Sequence, residues 1–176
     1  MDGFADWMPR RRDSLRAGVA WAMGAAAGGV PALAAGQIAA GPVVAWPRVR
    51  LLDGRVLEAP VSQQRAAVIV FFATTCGFCK RHNQHVQKLL RASAGQPLQV
   101  LGVAHDRRSD VVQQHLAEQG WTFDVTLDEA PLHAVLSARR VTPLTCVLDR
   151  QGRLREVIPG EMFEDDVLGL ARWARA

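Results

Sequence analysis

Cysteine is scarce in this chain, with three among 176 residues, at positions 76, 79 and 146. Three cysteines cannot form a disulfide-rich scaffold, so the fold must be stabilised by an ordinary hydrophobic core. The composition, 49% hydrophobic and 22% charged, is that of a globular protein, and the length suffices for one domain with a substantial core.

The chain also has little excess charge and no internal repeats. Its formal net charge is only +4, and the basic pairs Arg107-Arg108 and Arg139-Arg140 are short and lie in predicted loops. A nucleic-acid-binding surface would need basic residues clustered on one face or along one helix. We therefore expect no nucleic-acid partner and interpret these arginines as parts of a solvated surface.

Residues 1–34 have the pattern of an export signal. Arg10-Arg11-Arg12 precede a charge-free stretch from Ala17 to Ala34, which ends in the small-residue site Ala32-Leu33-Ala34. The motif "RRDSLR" resembles a twin-arginine signal, with Ser14 where a bulkier apolar residue is commoner, and the stretch rich in alanine and glycine fits that route. The segment predicts export to the periplasm, or an N-terminal membrane anchor if it is retained.

Residues 35–45 are interpreted as a linker and residues 46–176 as a single domain. The sequence "RVRLLDGRVLEAP" predicts a β-hairpin that turns at Asp53-Gly54. Further strands are predicted at 66–73, 98–104, 121–128, 144–149 and 153–159, and helices at 78–94, 109–119, 130–140 and 164–175. Ser109 and Asp110 are the predicted cap of the second helix, and Gly120 its end. This order predicts an α/β fold with a mixed central sheet, helices on both faces and an N-terminal β-hairpin extension.

The most informative stretch is "VIVFFATTCGFCKRHNQH", residues 68–85, in which a buried strand leads into Cys76-Gly77-Phe78-Cys79. A strand that ends near Cys76 and a helix that begins there place this thiol at a helix N-terminus, where unpaired N–H groups favour the thiolate. Cys79 lies one helical turn away, close enough to form a disulfide. The spacing predicts a redox pair in which Cys76 attacks and Cys79 resolves. Lys80, Arg81 and His82 add positive charge, which would make the disulfide more oxidising.

Pro143 precedes a predicted central strand, where a proline is normally excluded because it lacks an N–H. A cis Thr142-Pro143 bond would tolerate it and turn the backbone toward the cysteines. The alternative is a trans proline that merely begins the strand.

Taken together, these motifs resemble thioredoxin-fold proteins, specifically the exported thiol–disulfide oxidoreductases of the TlpA/ResA type. The resemblance covers about residues 46–175 and is carried by "VIVFFATTCGFCKRH", "LQVLGVAHD", "WTFDVTLDEAP", "VTPLTCVLDRQGRL" and "IPGE". It implies a periplasmic, monomeric disulfide reductase that acts on protein disulfides without a cofactor. It also implies re-reduction by a membrane-embedded electron donor.

The resemblance assigns roles to individual residues. Cys76 matches the nucleophilic cysteine and Cys79 the resolving one. Pro143 matches the cis-proline, and Thr142 the residue whose backbone pairs with the bound client chain. Phe78, between the cysteines, is expected to contact the client.

The chain departs from the family pattern at three positions. Thr75 stands where the family often has tryptophan, Val70 where many thioredoxins bury an acid, and Gln84 where the central helix usually carries proline. The loss of the buried acid removes the usual proton relay for the resolving cysteine. Glu161 and His82 are the candidate modulators in its place.

The same residues allow other interpretations. Cys76, Cys79, His82 and His85 suit copper or zinc by ligand type, so a copper-binding thioredoxin-like protein is the main alternative. Helical geometry opposes a joint site, because His85 lies 180° around the helix from Cys76. A peroxiredoxin would need Thr or Ser at position 73, which is Ala. We expect His105 to be solvated at a strand end, and Cys146 to be a small buried hydrophobe.

Overall fold

Residues 41–176 are described by a computed structural model of the chain. The predicted signal segment and the first part of the predicted linker lie outside these residues. The strands are β1 (Val49–Arg50), β2 (Val56–Leu57), β3 (Ala66–Phe72), β4 (Leu98–Ala104), β5 (Asp124–Thr126), β6 (Leu144–Leu148) and β7 (Leu154–Pro159). The helices are α1 (Gly77–Ala92), α2 (Ser109–Gln119), α3 (Glu129–Leu136) and α4 (Glu164–Gly169), with 3₁₀ helices at Pro60–Gln63 and Leu170–Ala174.

The main sheet has the strand order β5-β4-β3-β6-β7. Strands β3, β4 and β5 run parallel, whereas β6 is antiparallel to β3 and to β7. Every residue of β3 and β4 is buried, as expected of strands covered on both faces. The antiparallel pairing puts the beginning of β6 beside the end of β3, because Leu144 lies opposite Phe71. The mixed sheet predicted from the sequence is confirmed.

Two hydrophobic clusters lie on opposite faces of the sheet, because successive strand residues point to opposite sides. On one face, Val70 and Phe72 of β3 pack with residues of α1, α2 and α4. On the other face, Ile69 and Phe71 pack with α3 and with the β1–β2 hairpin. Helices on both faces and the N-terminal hairpin were both predicted, and both are confirmed.

Some element boundaries differ from the predicted ones. Helix α3 ends at Leu136 because Ser137 has extended backbone angles (φ −167°, ψ 136°), so Arg139 and Arg140 lie in a loop. The C-terminal helix tightens to a 3₁₀ helix after Gly169, and β5 has only three residues.

The cap of α2 also differs from the prediction. Arg108 occupies the N-cap position and no side chain caps the helix, so the predicted capping by Ser109 and Asp110 was wrong. Gly120 ends α2 in the left-handed conformation (φ 64°), as predicted.

The N-terminal part of the described chain contacts the end of the β6–β7 hairpin. Val43 forms a β-bridge with Arg153, and the Val44 N–H donates to the Gly152 carbonyl at 2.8 Å. Within residues 41–176, no helix is both long and apolar enough to span a bilayer.

Candidate active site

The two neighbouring cysteines form a disulfide at the start of α1, where the chain leaves β3. Cys76 is the N-cap residue, and its Sγ accepts a hydrogen bond from the Cys79 N–H at 3.1 Å. Cys76 is partly exposed, whereas Cys79 is only 1% exposed. The predicted placement of Cys76 at a helix N-terminus is confirmed, and Cys76 is the more exposed cysteine of the pair.

The loop before β6 brings Thr142 to this disulfide. The Thr142–Pro143 peptide bond is cis, as predicted. The Thr142 carbonyl oxygen lies 3.9 Å from Cys76 Sγ although the two residues are 66 positions apart. The Pro143 carbonyl accepts a hydrogen bond from the Gly160 N–H at 2.8 Å, which joins this loop to the end of β7. The backbone of Thr142 therefore lies directly beside the Cys76 sulfur.

Phe78, Arg81 and Glu161 form a chain of contacts along the side of α1. Arg81 donates two hydrogen bonds to the Glu161 carboxylate, at 2.8 and 2.7 Å, and its guanidinium lies 4.9 Å from the centroid of the Phe78 ring. The hydrogen bonds from Arg81 hold the pKa of the Glu161 carboxyl below its usual value. Glu161 is thus an ionised partner of Arg81, rather than a buried acid beneath Cys79. Phe78 is 63% exposed beside Cys76.

His82 is a buried polar side chain of this region, with 0% exposure. Its Nδ1 accepts a hydrogen bond from the Met162 N–H at 3.2 Å, so its Nε2 carries the proton and donates to Thr145 Oγ1 at 3.0 Å. Burial, together with the nearby His85, lowers the His82 pKa to about 4, and the Glu161 carboxylate opposes the shift. The imidazole is therefore neutral at physiological pH.

His82 contacts the strand beside Val70, the position where many thioredoxins bury an acid. Val70 of β3 pairs with Thr145 of β6, and Thr145 is the residue to which His82 donates. A polar group thus reaches this part of the core from α1 instead of from β3. Sequence reasoning named His82 as a candidate modulator but treated it as a positive charge. That expectation was wrong, because burial keeps the ring neutral.

His85, His105 and the third cysteine have neighbours other than the disulfide. His85 Nδ1 lies 3.3 Å from Glu164, and His105 Nδ1 lies 2.6 Å from Glu129. Among residues 41–176 there is no group of three or more His, Cys, Asp or Glu side chains placed to hold a metal ion. Cys146 belongs to the opposite core cluster from Cys79, and burial raises its thiol pKa to about 12.

Sequence reasoning missed one contact of the site. Asp106, just after β4, accepts hydrogen bonds from the Thr74 N–H at 3.0 Å and from Thr74 Oγ1 at 2.6 Å. This pair fixes the loop that leads from β3 to Cys76. The available signal was that Thr74 and Asp106 each follow one of two adjacent parallel strands, which end at the same edge of the sheet.

Comparison with known proteins supports a common origin for this architecture. The sequence profile of the AhpC/TSA family matches residues 47–157, more than half of the chain. The chain belongs to the AhpC/TSA family. It is 25% identical over 118 residues to the thiol-disulfide oxidoreductase ResA of Geobacillus thermodenitrificans, which covers 66% of this chain and 67% of that protein. It is 27% identical over 99 residues to ResA of Geobacillus kaustophilus and spans 56% of its length.

Solved structures show the same thioredoxin-like fold. A thioredoxin-family thiol:disulfide interchange protein from Chlorobium tepidum superimposes with a TM-score of 0.69 at 19% identity, covering 78% of this chain and 97% of that one. A secreted disulfide oxidoreductase from Mycobacterium tuberculosis gives a TM-score of 0.61 at 15% identity, covering 72% of this chain and 94% of that one. At these identities the likeness establishes the fold of this family member.

Proposed function

We propose that this protein is an exported protein thiol–disulfide oxidoreductase that works as a disulfide reductase. The observation that carries the proposal is the partly exposed Cys76 sulfur at a helix N-terminus, bonded to buried Cys79 and 3.9 Å from the Thr142 carbonyl. The names of the similar ResA proteins support the same reaction class.

The reaction begins with the reduced dithiol. The Cys76 thiolate attacks one sulfur of a client disulfide, which forms a Cys76–client bond and releases the other client sulfur as a thiolate that takes up a proton. Cys79 then loses its proton and attacks Cys76 Sγ. This second step releases the remaining client sulfur, which is also protonated, and leaves the Cys76–Cys79 disulfide. Two electrons pass from the protein to the client, and no cofactor takes part.

The proposed client-binding residues are Thr142, Pro143 and Phe78. The exposed backbone of Thr142 pairs with an extended client segment and holds its disulfide beside Cys76. Phe78, between the two cysteines, supplies an exposed apolar surface. Pro143, fixed by its contact with Gly160, keeps the loop in place.

Two of the three cations that the sequence places near the sulfur atoms are compensated or neutral. His82 is neutral at physiological pH and Arg81 is neutralised by Glu161, so two of the three cations expected to favour the thiolate are cancelled. The disulfide is then less oxidising than the sequence suggested. His82 and Glu161 modulate the pair indirectly, through Thr145, Met162 and Arg81. A reductase of this kind requires a donor, which we propose to be a membrane-embedded protein that re-reduces the monomer in the periplasm.

The reduction potential of the Cys76–Cys79 pair tests this proposal. The purified protein is equilibrated in glutathione buffers, metal-free and with added copper, and the fraction oxidised is measured by thiol alkylation. We expect a reduction potential of about −270 mV, whereas a value of about −120 mV would indicate a disulfide-forming oxidant. Stoichiometric copper binding without a reversible dithiol transition would contradict the enzyme proposal.

Active-site variants provide the matched controls for turnover. Cys76→Ser should abolish reduction of a disulfide substrate such as insulin. Cys79→Ser should trap the mixed disulfide with the client, detectable by mass spectrometry. Ala73 stands where a peroxiredoxin would need Thr or Ser. We therefore expect no peroxidase turnover when hydrogen peroxide is supplied in place of the disulfide substrate.

A further inference from the structure

We propose that this site selects client segments that carry acidic residues next to their cystine, an inference that rests on the reductase function proposed above. It follows from how charge is distributed at the sheet edge that holds the disulfide. We call this surface the carboxyl edge, because it lies at the carboxyl ends of β3, β4 and β5, together with the beginning of β6 and the end of β7.

The cations at the carboxyl edge include four without a carboxylate partner among residues 41–176. They are Lys80, Arg107, Arg139 and Arg140, and all four side chains are exposed. Lys80 lies in the first turn of α1, where its N–H donates to the Cys76 carbonyl at 3.1 Å. Arg107 follows Asp106 in the chain. Asp106 accepts a hydrogen bond from the N–H of Thr74, which is two residues before Cys76.

The carboxylates at the same edge are already bound. Glu161 pairs with Arg81, and Asp106 accepts two hydrogen bonds from Thr74. Glu129 lies 2.6 Å from His105, Asp110 pairs with Arg108, and Asp128 accepts from the Arg50 N–H at 2.7 Å. Arg81 and Arg108 are thus paired with carboxylates, whereas within residues 41–176 Arg139 and Arg140 are not. The charge beside the Thr142 backbone is therefore positive, and it attracts an acidic segment more strongly than a basic one.

Arg139 and Arg140 are the cations closest along the chain to the proposed client-binding backbone. Arg140 is two residues from Thr142, and an extended chain spans at most about 3.3–3.6 Å per residue, so their Cα atoms are within about 7 Å. A client paired with Thr142 would thus place the residues flanking its cystine within reach of these long side chains. Because both arginines are exposed, they need not break any contact in the protein to bind a client carboxylate.

Exposed apolar side chains near the cysteines further restrict which client segments the site would prefer. Phe78, between the two cysteines, is 63% exposed, and Val141, which precedes Thr142, is 48% exposed. The segment that fits both the charge and the apolar surface is extended, with an aliphatic or aromatic residue at the cystine and acidic residues beyond it.

The acidic residues that begin α4 belong to a helix on the opposite sheet face from α3, the helix that precedes Arg139 and Arg140. Glu164, Asp165 and Asp166 occupy the first turn of that helix, where carboxylates are favoured by the helix dipole. Glu164 also accepts a hydrogen bond from Lys88 at 2.6 Å. Their position is explained by the helix that they begin.

Three peptides test the inference in single-turnover reactions. Each has an internal disulfide and a leucine beside one cysteine, and they differ only in two flanking residues, which are Glu, Gln or Lys. The full chain is reduced, freed of reductant and mixed with each peptide, and the peptide thiols formed are measured after acid quench. At low salt we expect the Glu peptide to be reduced about tenfold faster than the Lys peptide, with Gln between them, and the ratio to fall as salt is added.

Matched charge-reversal variants assign the preference to the carboxyl edge. Arg139→Glu/Arg140→Glu should remove or reverse the order of the three peptides. Arg91→Glu/Arg175→Glu, which changes the net charge equally, should preserve it. Because the ratio is taken within each variant, a change in the reactivity of Cys76 itself cancels.

The outcomes separate this inference from the function on which it rests. Equal rates for the three peptides, or an order that the Arg139/Arg140 variant leaves unchanged, would overturn the acidic preference while the reductase function stands. If no peptide is reduced by a protein whose dithiol is intact, the reductase function itself fails.

Discussion

His82 is a buried, neutral histidine on the helix that begins at the disulfide. It lies one helical turn beyond Cys79, fully buried, with both ring nitrogens hydrogen-bonded. Because Met162 donates to Nδ1, this nitrogen cannot also accept the proton of Cys79 in the present arrangement. We therefore interpret His82 as a residue that positions α1 against β6 and the loop after β7.

The buried imidazole predicts a particular loss of stability in mild acid. The His82 pKa of about 4 in the folded protein lies below the ordinary histidine value of 6.5, so the unfolded chain binds the proton more tightly. This contribution is complete above about pH 6.5 and is lost as the pH falls from 6.5 toward 4. We expect the unfolding free energy to decrease by roughly 2–3 kcal/mol between pH 7 and pH 4.5, because each tenfold difference in proton affinity corresponds to about 1.4 kcal/mol.

Urea unfolding of the oxidised protein at both pH values measures this decrease. His82→Gln should remove most of the pH dependence. A wild-type protein whose unfolding free energy is the same at pH 7 and pH 4.5 would contradict the assignment.

At the scale of elements, the packing of β4 against β3 and β5 leaves no room for a side chain at Gly102. A Cβ added there would lie 2.9 Å from the Phe123 ring, 3.0 Å from the Phe72 ring and 3.0 Å from a Val125 methyl group. These contacts are too short, so the rings would have to move. Glycine is required here by the space available, not by its backbone angles.

Gly102→Ala should therefore destabilise the protein by about 1–3 kcal/mol, the usual cost of overpacking a core. Gly77→Ala is the matched control, because a Cβ at Gly77 meets nothing within 4 Å. Thermal unfolding of both variants measures the difference. If Gly102→Ala unfolds at the wild-type temperature, the sheet is less tightly packed than described.

The elements themselves were largely predictable from the sequence, but their interactions were not. The apolar run at 66–73 and the cysteine spacing sufficed to predict β3, α1 and the position of Cys76. The pattern at 130–140 predicted too long a helix, because hydrophobic spacing does not reveal that Ser137 becomes extended. The bond between His82 and Thr145 joins residues 63 positions apart, and no local pattern indicates such a pairing.

At the scale of the whole molecule, the two sheet faces separate the redox pair from the third cysteine. Cys146 is fully buried in the cluster packed against α3, and its thiol pKa is raised to about 12 by burial. Only the thiolate reacts with alkylating agents. Folding should thus protect Cys146 twice, by burial and by holding it protonated.

We expect Cys146 to label extremely slowly in the folded protein. In a Cys76→Ser/Cys79→Ser variant it is the only thiol left, and the raised pKa implies about a thousandfold less thiolate than in the unfolded chain at pH 8. Iodoacetamide labelling with and without urea, followed by mass spectrometry, measures the ratio. Rapid labelling without urea would show that the face packed against α3 opens readily.

Because Cys76 contacts Thr142, the active site is complete only after the chain has been synthesised as far as Thr142. Everything from α1 to α3 lies between these residues, which are 66 positions apart. A truncated fragment that stops before Thr142 retains both cysteines but has no backbone beside them to align a client. Non-local pairing of this kind is late and slow compared with local structure. Disulfide reduction therefore requires that this part of the chain has been synthesised and folded. An incomplete chain emerging from biosynthesis would have the Cys76 thiol but no backbone to align a client with it.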